Sequence, residues 1–369
     1  MHRQFRTPRR QRLLLLLSSC WLWACEGTGG DAITTPVPPV AFAAVDTRAQ
    51  TAFANDAPVA IEGMGLAIYG RDGAALFENM YGDFAPDRRV AVASASKLVT
   101  SLVLLRLVEQ GFLSLQDTTG TVLGWTGPQA QITLEQLLSF TSGLPPSFGC
   151  IDSADLTLNA CVQQISTLAP IAPPGEQFDY GSTHLHVAAG MAEVITGSPW
   201  NEVFRLQLGQ PLGLAEAVRY YSFPRQRIGL DNPRAAGGLV ASMDEYATIL
   251  GLVLNDGRHN DTPLLSPALV DRIFVAPFAD VVMGQMPDLA INLEFGYGLG
   301  AWLECDRPVE GCDVISSPGL FGFTPWVDRA NDYMAILGME AGGIAAGATE
   351  FSLTLAQDLQ PLIIAELAD

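Results

Sequence analysis

Residues 93–97 read Ala-Ser-Ala-Ser-Lys, and Lys97 at the end of this stretch is the only lysine in the 369-residue chain. Because positions i and i+3 of a helix share one face, a helix that begins near Ser94 would bring Lys97 beside the serine hydroxyl. A lysine can lose its proton when it is desolvated, whereas an arginine in a protein cannot. The stretch therefore predicts a serine nucleophile activated by a lysine base. The same spacing also arises by chance, so it needs further support.

The segment after Lys97 is apolar on almost every side, and Gly111 ends it. The apolar positions are Leu98, Val99, Leu102, Val103, Leu104, Leu105, Leu107 and Val108. A helix that is apolar all round is buried in the core rather than lying on the surface. Since burial disfavours the charged form of an amine, we expect the pKa of Lys97 to be lowered toward the range of a useful base.

The first 24 residues have the features of a secretory signal peptide. Five arginines precede the apolar run at Leu13–Leu17, which is too short to span a membrane. The sequence Leu22-Trp23-Ala24-Cys25 resembles a bacterial lipobox, so we predict a lipid anchor on Cys25 and export to the cell envelope, in the periplasm or at the cell surface. Lipidation of Cys20, or cleavage without lipidation, remains open. Residues 25–44 are rich in Gly, Thr and Pro and predict a tether.

The chain is strongly acidic. Its formal net charge is −19, and loss of residues 1–24, which hold five arginines and no acidic residue, would make it −24. A negative surface disfavours contact with nucleic acid or with anionic membranes. We therefore expect a small-molecule ester or amide substrate, and a membrane contact only through the lipid.

Four cysteines follow Cys25, and an even number in an exported chain favours disulfides. Cys150 with Cys161, and Cys305 with Cys312, are close in sequence, so we predict these two bridges. The other pairings and buried free thiols stay open. No Cys-x-x-Cys is present, and only three histidines follow the signal peptide, so we expect no metal site. We also predict no cofactor.

Strand patterns at both ends of the chain enclose a helical middle. Residues 64–69 and 75–80 predict a β-hairpin, strands return after residue 297, and a last helix is expected at 349–367. The pattern predicts an α/β (α+β) fold, an antiparallel sheet flanked by helices with an inserted all-helical domain. The predicted sheet domain comprises residues 45–93 and 240–369, and the helical domain residues 94–239.

Two further segments predict parts of an active site. Tyr180 lies between a Pro-Gly turn and an apolar helix, and a nearby ammonium would favour its anion and make it a base or proton relay. Gly319 follows a strand and lets the backbone approach a substrate, while the N–H groups of Leu320 and Ser94 could form an oxyanion hole. The alternatives are a half-buried tyrosine and a plain strand-to-turn connection.

The order of these pieces resembles the serine β-lactamase-related superfamily over about residues 50–367. The resemblance is carried by Ser94-x-x-Lys97, Thr141-Ser142-Gly143-Leu144-Pro145, Tyr180-x-Ser182, Gly237-Gly238-Leu239 and Pro318-Gly319. The likeness is to the class C branch, with carboxylesterases, D,D-peptidases and D-aminopeptidases. It implies an acyl-enzyme on Ser94, Lys97 as base, Tyr180 as catalytic tyrosine, an oxyanion hole from the N–H groups of Ser94 and Leu320, and no metal.

The sequence departs from the family pattern at two expected substrate-binding positions. Ser182 stands where the family usually has Asn, and Ser317-Pro318-Gly319 stands where the third motif usually begins with Lys or His. Loss of that cation disfavours recognition of a substrate carboxylate and is compatible with a neutral ester. Arg234 or Arg329 could replace the charge, although nothing in the sequence places either one there.

We therefore predict a serine hydrolase that cleaves carboxylic esters. β-Lactamase, D,D-peptidase or amidase activity is the alternative, and a non-catalytic binding protein of the same fold is a second one. Gly-x-Ser-x-Gly is absent, and His184 and His186 are expected to have packing or surface roles. Three aromatic residues near the third motif are either an acyl pocket or core: Phe321, Phe323 and Trp326.

Overall fold

The computed structural model describes residues 42–59, 61–153, 155–222, 232–278, 280–287, 295–341 and 347–368. The predicted signal peptide, the greater part of the tether and Cys25 lie outside these ranges. All described residues belong to one compact unit. The division into a sheet domain and a helical domain remains a prediction.

Fourteen strands occur among the described residues. They are β1 (Ile61–Gly70), β2 (Ala75–Gly82), β3 (Val90–Ala91), β4 (Gln177–Phe178), β5 (Arg219–Tyr220), β6 (Leu239–Ala241), β7 (Arg258–His259), β8 (Thr262–Pro263), β9 (Val282–Met283), β10 (Gly296–Tyr297), β11 (Trp302–Leu303), β12 (Val314–Ser316), β13 (Thr324–Asp328) and β14 (Tyr333–Ala341).

Ten α-helices occur in the same ranges. They are α1 (Ala43–Asn55), α2 (Ser96–Glu109), α3 (Thr119–Leu123), α4 (Leu134–Leu138), α5 (Leu158–Ile165), α6 (Thr183–Thr196), α7 (Trp200–Phe204), α8 (Met243–Leu254), α9 (Pro267–Asp271) and α10 (Ala348–Leu367). None of the described helices is both long and apolar enough to cross a membrane.

The central sheet is antiparallel and has seven strands in the order β10-β11-β12-β13-β14-β1-β2. The predicted hairpin forms β1 and β2, because Gly73 adopts a positive φ of 77° in the turn and the Asp72 carboxylate accepts the N–H of Ala74. The last described strand, β14, pairs with β1, so strands from the two ends of the described chain lie side by side in the sheet. The mixed helix and antiparallel-sheet fold is therefore the predicted one.

Alternate residues of β1 enter two different cores. Leu66 and Ile68 pack with α1 and α10 on one face, whereas Ala67 and Tyr69 belong to the larger core on the other face. This is the period of two that a strand covered on both faces requires. The larger core contains most of α2 and joins the sheet to the helical part of the chain.

Helix α2 is buried along nearly its whole length, as its apolar sequence predicts. It packs against α6 and the segment after α7. Gly300, with φ of 88°, lies so close to α2 that a Cβ there would collide with the side chain of Ser101. The sheet thereby fixes the helix that carries Lys97.

Both predicted disulfides, Cys150–Cys161 and Cys305–Cys312, are present in the structure. Of the three aromatic residues after the third motif, Phe323 and Trp326 are fully buried in the two cores, and Phe321 packs against the smaller one. These side chains are core residues, and the structure does not support the alternative that they line an acyl pocket.

Candidate active site

The structure brings the Ser94 hydroxyl and the Lys97 amine together. Lys97 Nζ lies 2.9 Å from Ser94 Oγ and 2.9 Å from the carbonyl oxygen of Ala236, and the lysine side chain is almost completely buried. Burial, together with the smaller effect of the positive charge of Arg234, lowers the pKa of Lys97 to about 7. The free amine is thus well populated near neutral pH.

Ser94 lies in a strained turn between β3 and α2. The turn is a single 3₁₀ helix, Ala93–Ala95, and Ala93 has a positive φ of 46°. The Ser96 hydroxyl holds this turn, because it donates to the Ala93 carbonyl at 2.6 Å and accepts the N–H of Leu239 at 3.0 Å. Backbone strain of this kind persists only where the surrounding contacts enforce it, and it is common at functional sites.

The Gly-Gly-Leu segment aims a carbonyl at the lysine. Thr100 on α2 donates to the carbonyl of Ala235 at 2.6 Å, and the next carbonyl, of Ala236, faces Lys97. Gly238 allows this path, because a Cβ there would collide with backbone oxygens of Tyr221 and Arg234. The motif therefore positions Lys97 through the backbone.

Tyr180 completes the group around Ser94. Its ring lies 4.7 Å from Lys97 Nζ, and interactions of its hydroxyl with the Ser94 and Trp302 side chains favour the phenolate. Burial raises the pKa of Tyr180 to about 12, because the opposing interactions with Ser94 and Trp302 are weaker than the effect of burial. The expected stabilisation of the phenolate by a nearby ammonium is therefore outweighed, and Tyr180 is a neutral phenol at neutral pH.

An aromatic cluster supports Tyr180 from behind. Its ring stacks on Trp302 at 5.1 Å and contacts Phe140 at 5.4 Å and Tyr297 at 6.1 Å, both edge to face. Sequence reasoning missed this cluster. The hairpin of β10 and β11 places Tyr297 directly opposite Trp302, and recognition of a hairpin in Gly296–Leu303 would have paired them.

A short parallel ladder fixes the backbone at Tyr180. The strand β9 pairs with β4, and the Tyr180 N–H then donates to the carbonyl of Gln285 at 2.7 Å. The buried carboxylate of Asp179 accepts the N–H of Gln285 at 2.8 Å. This tie joins residues more than one hundred positions apart, and no local sequence signal indicates it.

The third motif lies beside the nucleophile turn. Gly319 packs against the backbone before Ser94, since a Cβ there would collide with the carbonyl of Val92. The Ser317 hydroxyl donates to the Ser94 carbonyl at 3.4 Å. Among the described residues, the backbone hydrogen bonds outside regular elements include none donated by the N–H of Ser94 or of Leu320.

Ser182 lies next to the Thr-Ser-Gly-Leu-Pro segment. Its N–H donates to the carbonyl of Pro146 at 2.7 Å, just before α6 begins. Gly181 permits this approach, because a Cβ there would collide with the same carbonyl. The Tyr180-x-Ser182 motif and the Thr-Ser-Gly-Leu-Pro segment thus meet directly after Tyr180.

The two arginines proposed as substitutes for the missing cation have different surroundings. Arg329 pairs with Asp271 at 2.8 Å and with Asp256 at 3.1 Å. Arg234 pairs with Asp152 at 2.9 Å, and its charge acts on Lys97. Of the two arginines, only Arg234 affects the pKa of Lys97.

His184 and His186 are buried packing residues. Burial lowers the pKa of each to about 4, so both are neutral. His184 Nδ1 lies 2.8 Å from Ser142 Oγ, and its ring stacks on Phe140. Ser142 is itself fully buried, so it forms a turn contact and is not a second exposed nucleophile.

The contact between Ser94 and Lys97 is compatible with a serine hydrolase, and comparison with known proteins identifies the family. The model of the beta-lactamase family matches residues 53–337, which is most of the chain. The protein belongs to the beta-lactamase family, whose members are serine hydrolases. The resemblance stated from the motifs is confirmed.

Known proteins agree with this assignment. Penicillin-binding protein 4 of Amycolatopsis lactamdurans is 30% identical over 132 residues, 34% of each chain, so the match spans about a third of that relative. A crystal structure of a beta-lactamase-family protein from Bacteroides dorei DSM 17855 is 26% identical, with a TM-score of 0.77 over 89% of this chain and 99% of that one.

A third similarity concerns the fold alone. The structure of EstCE1, described as a hydrolase with promiscuous acyltransferase activity, is 17% identical, with a TM-score of 0.65 over 86% of this chain and 99% of that chain.

Proposed function

We propose that this protein is a carboxylic ester hydrolase that forms an acyl-enzyme on Ser94. The observation that carries the proposal is the 2.9 Å contact between Ser94 Oγ and a buried Lys97 amine whose pKa is lowered to about 7. In the first step the amine takes the serine proton while Oγ attacks the ester carbonyl carbon. The tetrahedral intermediate collapses, the alcohol leaves with a proton, and water then releases the acid and restores Ser94.

Tyr180 relays protons in this scheme. As a neutral phenol in contact with Ser94, it donates a hydrogen bond toward the departing alkoxide and is reprotonated from the Lys97 ammonium. The assignment of the base to Lys97 rests on the order of the two pKa values, about 7 for Lys97 and about 12 for Tyr180.

The N–H groups of Ser94 and Leu320 form the oxyanion hole. The fit of Gly319 against Val92 supports this, because it brings the third-motif turn up to the nucleophile turn. Two donors aimed at a developing oxyanion contribute about 10²–10³-fold each to the rate of acyl transfer.

The absence of a cation in the third motif favours esters over β-lactams. Ser317 and Pro318 offer no charge to a substrate carboxylate. Amide or β-lactam hydrolysis is the second candidate, favoured by the proximity of the Arg234 charge to Lys97. A binding protein without turnover is disfavoured by the buried Ser94–Lys97 contact.

A paired substrate assay tests the proposal. We expect short p-nitrophenyl esters to be hydrolysed with a kcat/KM at least about 100-fold above that for a chromogenic cephalosporin. A fluorophosphonate probe should label the parent protein and not Ser94→Ala. Faster cephalosporin turnover would establish the second candidate, and labelling without any turnover would favour the binding protein.

We further propose that the protein is exported to the cell envelope and anchored by a lipid on Cys25. The two disulfides support an oxidising compartment. Incorporation of a clickable fatty acid should be lost in Cys25→Ala and kept in Cys20→Ala. The opposite pattern would move the anchor to Cys20, and no incorporation in the parent would reject lipidation.

A further inference from the structure

Asp179 places a buried carboxylate next to Tyr180 in the chain. The residue is only 2% exposed. One carboxylate oxygen accepts the N–H of Gln285 at 2.8 Å, and the other accepts the side-chain amide of Gln177 at 3.0 Å. Both of these donors are uncharged. Because a buried carboxylate is costly unless hydrogen bonds compensate for the lost water, it strongly constrains the groups that donate to it.

The carboxylate and the Tyr180 backbone hold the same residue from two sides. Gln285 donates its N–H to Asp179, and its carbonyl accepts the N–H of Tyr180 at 2.7 Å. The N–H of Gly284 donates to the carbonyl of Phe178 at 2.9 Å and continues the ladder. The pairing of β4 with β9 covers only two residue pairs, and a ladder this short has little stability of its own. The carboxylate therefore supplies its buried anchor.

Gly284 passes so close to Asp179 that no side chain fits between them. A Cβ at Gly284 would collide with a carboxylate oxygen of Asp179 and with the side-chain nitrogen of Gln177. Glycine allows this close approach of the main chain to a buried group. The contact between the carboxylate and Gln285 therefore depends on both sides, and a change on either side should release it.

The main chain of Asp179 also supports the ring of Tyr180. The N–H of Asp179 donates to the carbonyl of Phe140 at 3.0 Å. Phe140 has a positive φ of 60°, a strained conformation for a phenylalanine that the surrounding contacts must enforce. Its ring packs edge to face on Tyr180, with the centroids 5.4 Å apart. The backbone and the ring of Tyr180 are thus both connected to Asp179, one through Gln285 and the other through Phe140.

We propose that Asp179 is a positioning residue for Tyr180: its carboxylate holds Gln285, and Gln285 holds the backbone that presents the phenol to Ser94. This inference rests on the proposed ester hydrolysis, in which Tyr180 relays protons, and adds a residue that acts without touching the substrate. Displacement of a catalytic group by about 1 Å can cost about 10²-fold in rate. Loss of the carboxylate should therefore lower kcat and leave KM within about threefold of the parent value.

The first test compares Asp179→Ala with Asp328→Ala. Asp328 is also 2% exposed, and its two carboxylate oxygens likewise accept one backbone N–H and one side-chain amide, both from Asn331 in the turn between β13 and β14. With p-nitrophenyl acetate we expect kcat to fall by at least about tenfold in Asp179→Ala and by less than about threefold in Asp328→Ala. Equal losses in the two variants would show a general structural effect and overturn the inference.

Two further variants change the contact more gently. Asp179→Asn keeps an acceptor oxygen for the N–H of Gln285, and the Gln177 amide can turn its own oxygen toward the new N–H₂ group, so kcat should stay within about fivefold of the parent. Gly284→Ala keeps Asp179 but forces its carboxylate away, so it should reproduce the loss seen in Asp179→Ala. Normal kcat in Gly284→Ala, or an equal loss in the asparagine and alanine variants of Asp179, counts against the inference.

A double-mutant cycle tests whether Asp179 acts through Tyr180. Tyr180→Phe removes the hydroxyl that relays protons, and we expect it alone to lower kcat by about 10²-fold. If Asp179 only positions that hydroxyl, adding Asp179→Ala to Tyr180→Phe should cost less than about threefold more. Effects that multiply, or normal turnover in Tyr180→Phe, would overturn the inference, while Ser94-dependent turnover in the parent would leave the proposed function in place.

Amide hydrogen exchange tests the contact without any substrate. In Asp179→Ala the N–H groups of Tyr180 and Gln285 should exchange at least about tenfold faster than in the parent, whereas Asp179→Asn and Asp328→Ala should leave both rates within about threefold. Unchanged exchange in Asp179→Ala would reject the positioning role even if no ester is hydrolysed. Faster exchange in a protein that hydrolyses no ester would support the contact and reject the proposed function.

Discussion

The amine of Lys97 is neutral enough to act as a base because its surroundings are apolar. The apolar sequence after it predicts this burial, and the structure shows it together with a pKa of about 7. The pKa of Tyr180 could not be predicted in the same way. It is set mainly by burial of the phenol, and the aromatic rings that pack on Tyr180, Trp302 and Tyr297, come from a distant hairpin.

Arg234 contributes to the low pKa of Lys97, so its removal should be visible in a pH profile. The free amine is the active form, so hydrolysis should rise with pH through about 7 and then level off. In Arg234→Gln the Lys97 ammonium is no longer repelled by the guanidinium. The midpoint of the pH profile of hydrolysis should therefore move up by less than about one pH unit.

The matched control is Arg329→Gln, whose guanidinium is held by Asp256 and Asp271. Its pH profile of kcat/KM should match that of the parent. A midpoint that stays in place for Arg234→Gln, or that moves equally in both variants, would show that Arg234 does not act on the base.

Local sequence patterns predict the longer elements well. β1 and β2 contain the predicted hairpin strands at 64–69 and 75–80, and α2 and α10 differ from expectation by only one or two residues. The two-residue strands β4 and β9 were not predicted, because their pairing is non-local and too short to leave a periodic pattern. The ladder that holds Tyr180 consequently came from the structure alone.

At Gly319 the sequence correctly predicts a close approach of the backbone to another group, but it does not identify that group. The sequence predicts a close approach of the backbone, and the structure shows that the neighbour is the carbonyl of Val92. In Gly319→Ala the third-motif turn must move away from the nucleophile turn. We expect a loss of about 10²-fold in kcat and a cost of about 1–3 kcal/mol in the free energy of unfolding.

Gly149→Ala is the control for this change, because a Cβ at Gly149 would meet open space. Steady-state ester kinetics and urea unfolding of the two variants give the comparison. Normal kcat in Gly319→Ala would remove the support for an oxyanion hole at Leu320.

The described residues form one compact unit in which disulfides close two short loops. Cys150–Cys161 spans 11 residues and Cys305–Cys312 spans 7. Because the stabilisation grows with loop length, replacing the first pair by alanines should lower the free energy of unfolding by about 3 kcal/mol, and the second pair by about 2 kcal/mol. Urea unfolding of the two double variants measures both values.

The first disulfide also lies in a region that reaches the site. Asn232 donates to the carbonyl of Cys150 at 2.8 Å, and Arg234 pairs with Asp152. Loss of this bridge should therefore affect both stability and the pH midpoint of activity, whereas loss of the second should affect stability alone. Identical effects of the two pairs on the pH midpoint would contradict this link.

The central claim is that Ser94 is activated by the free amine of Lys97. The rate of Ser94 labelling by a fluorophosphonate probe, measured from pH 5 to pH 9, tests it without any assumption about the substrate. In the parent the rate should rise about tenfold per pH unit below about 7 and then level off, and in Lys97→Met it should fall by at least about 10²-fold at pH 8. Labelling of Lys97→Met at the rate of the parent would contradict the account.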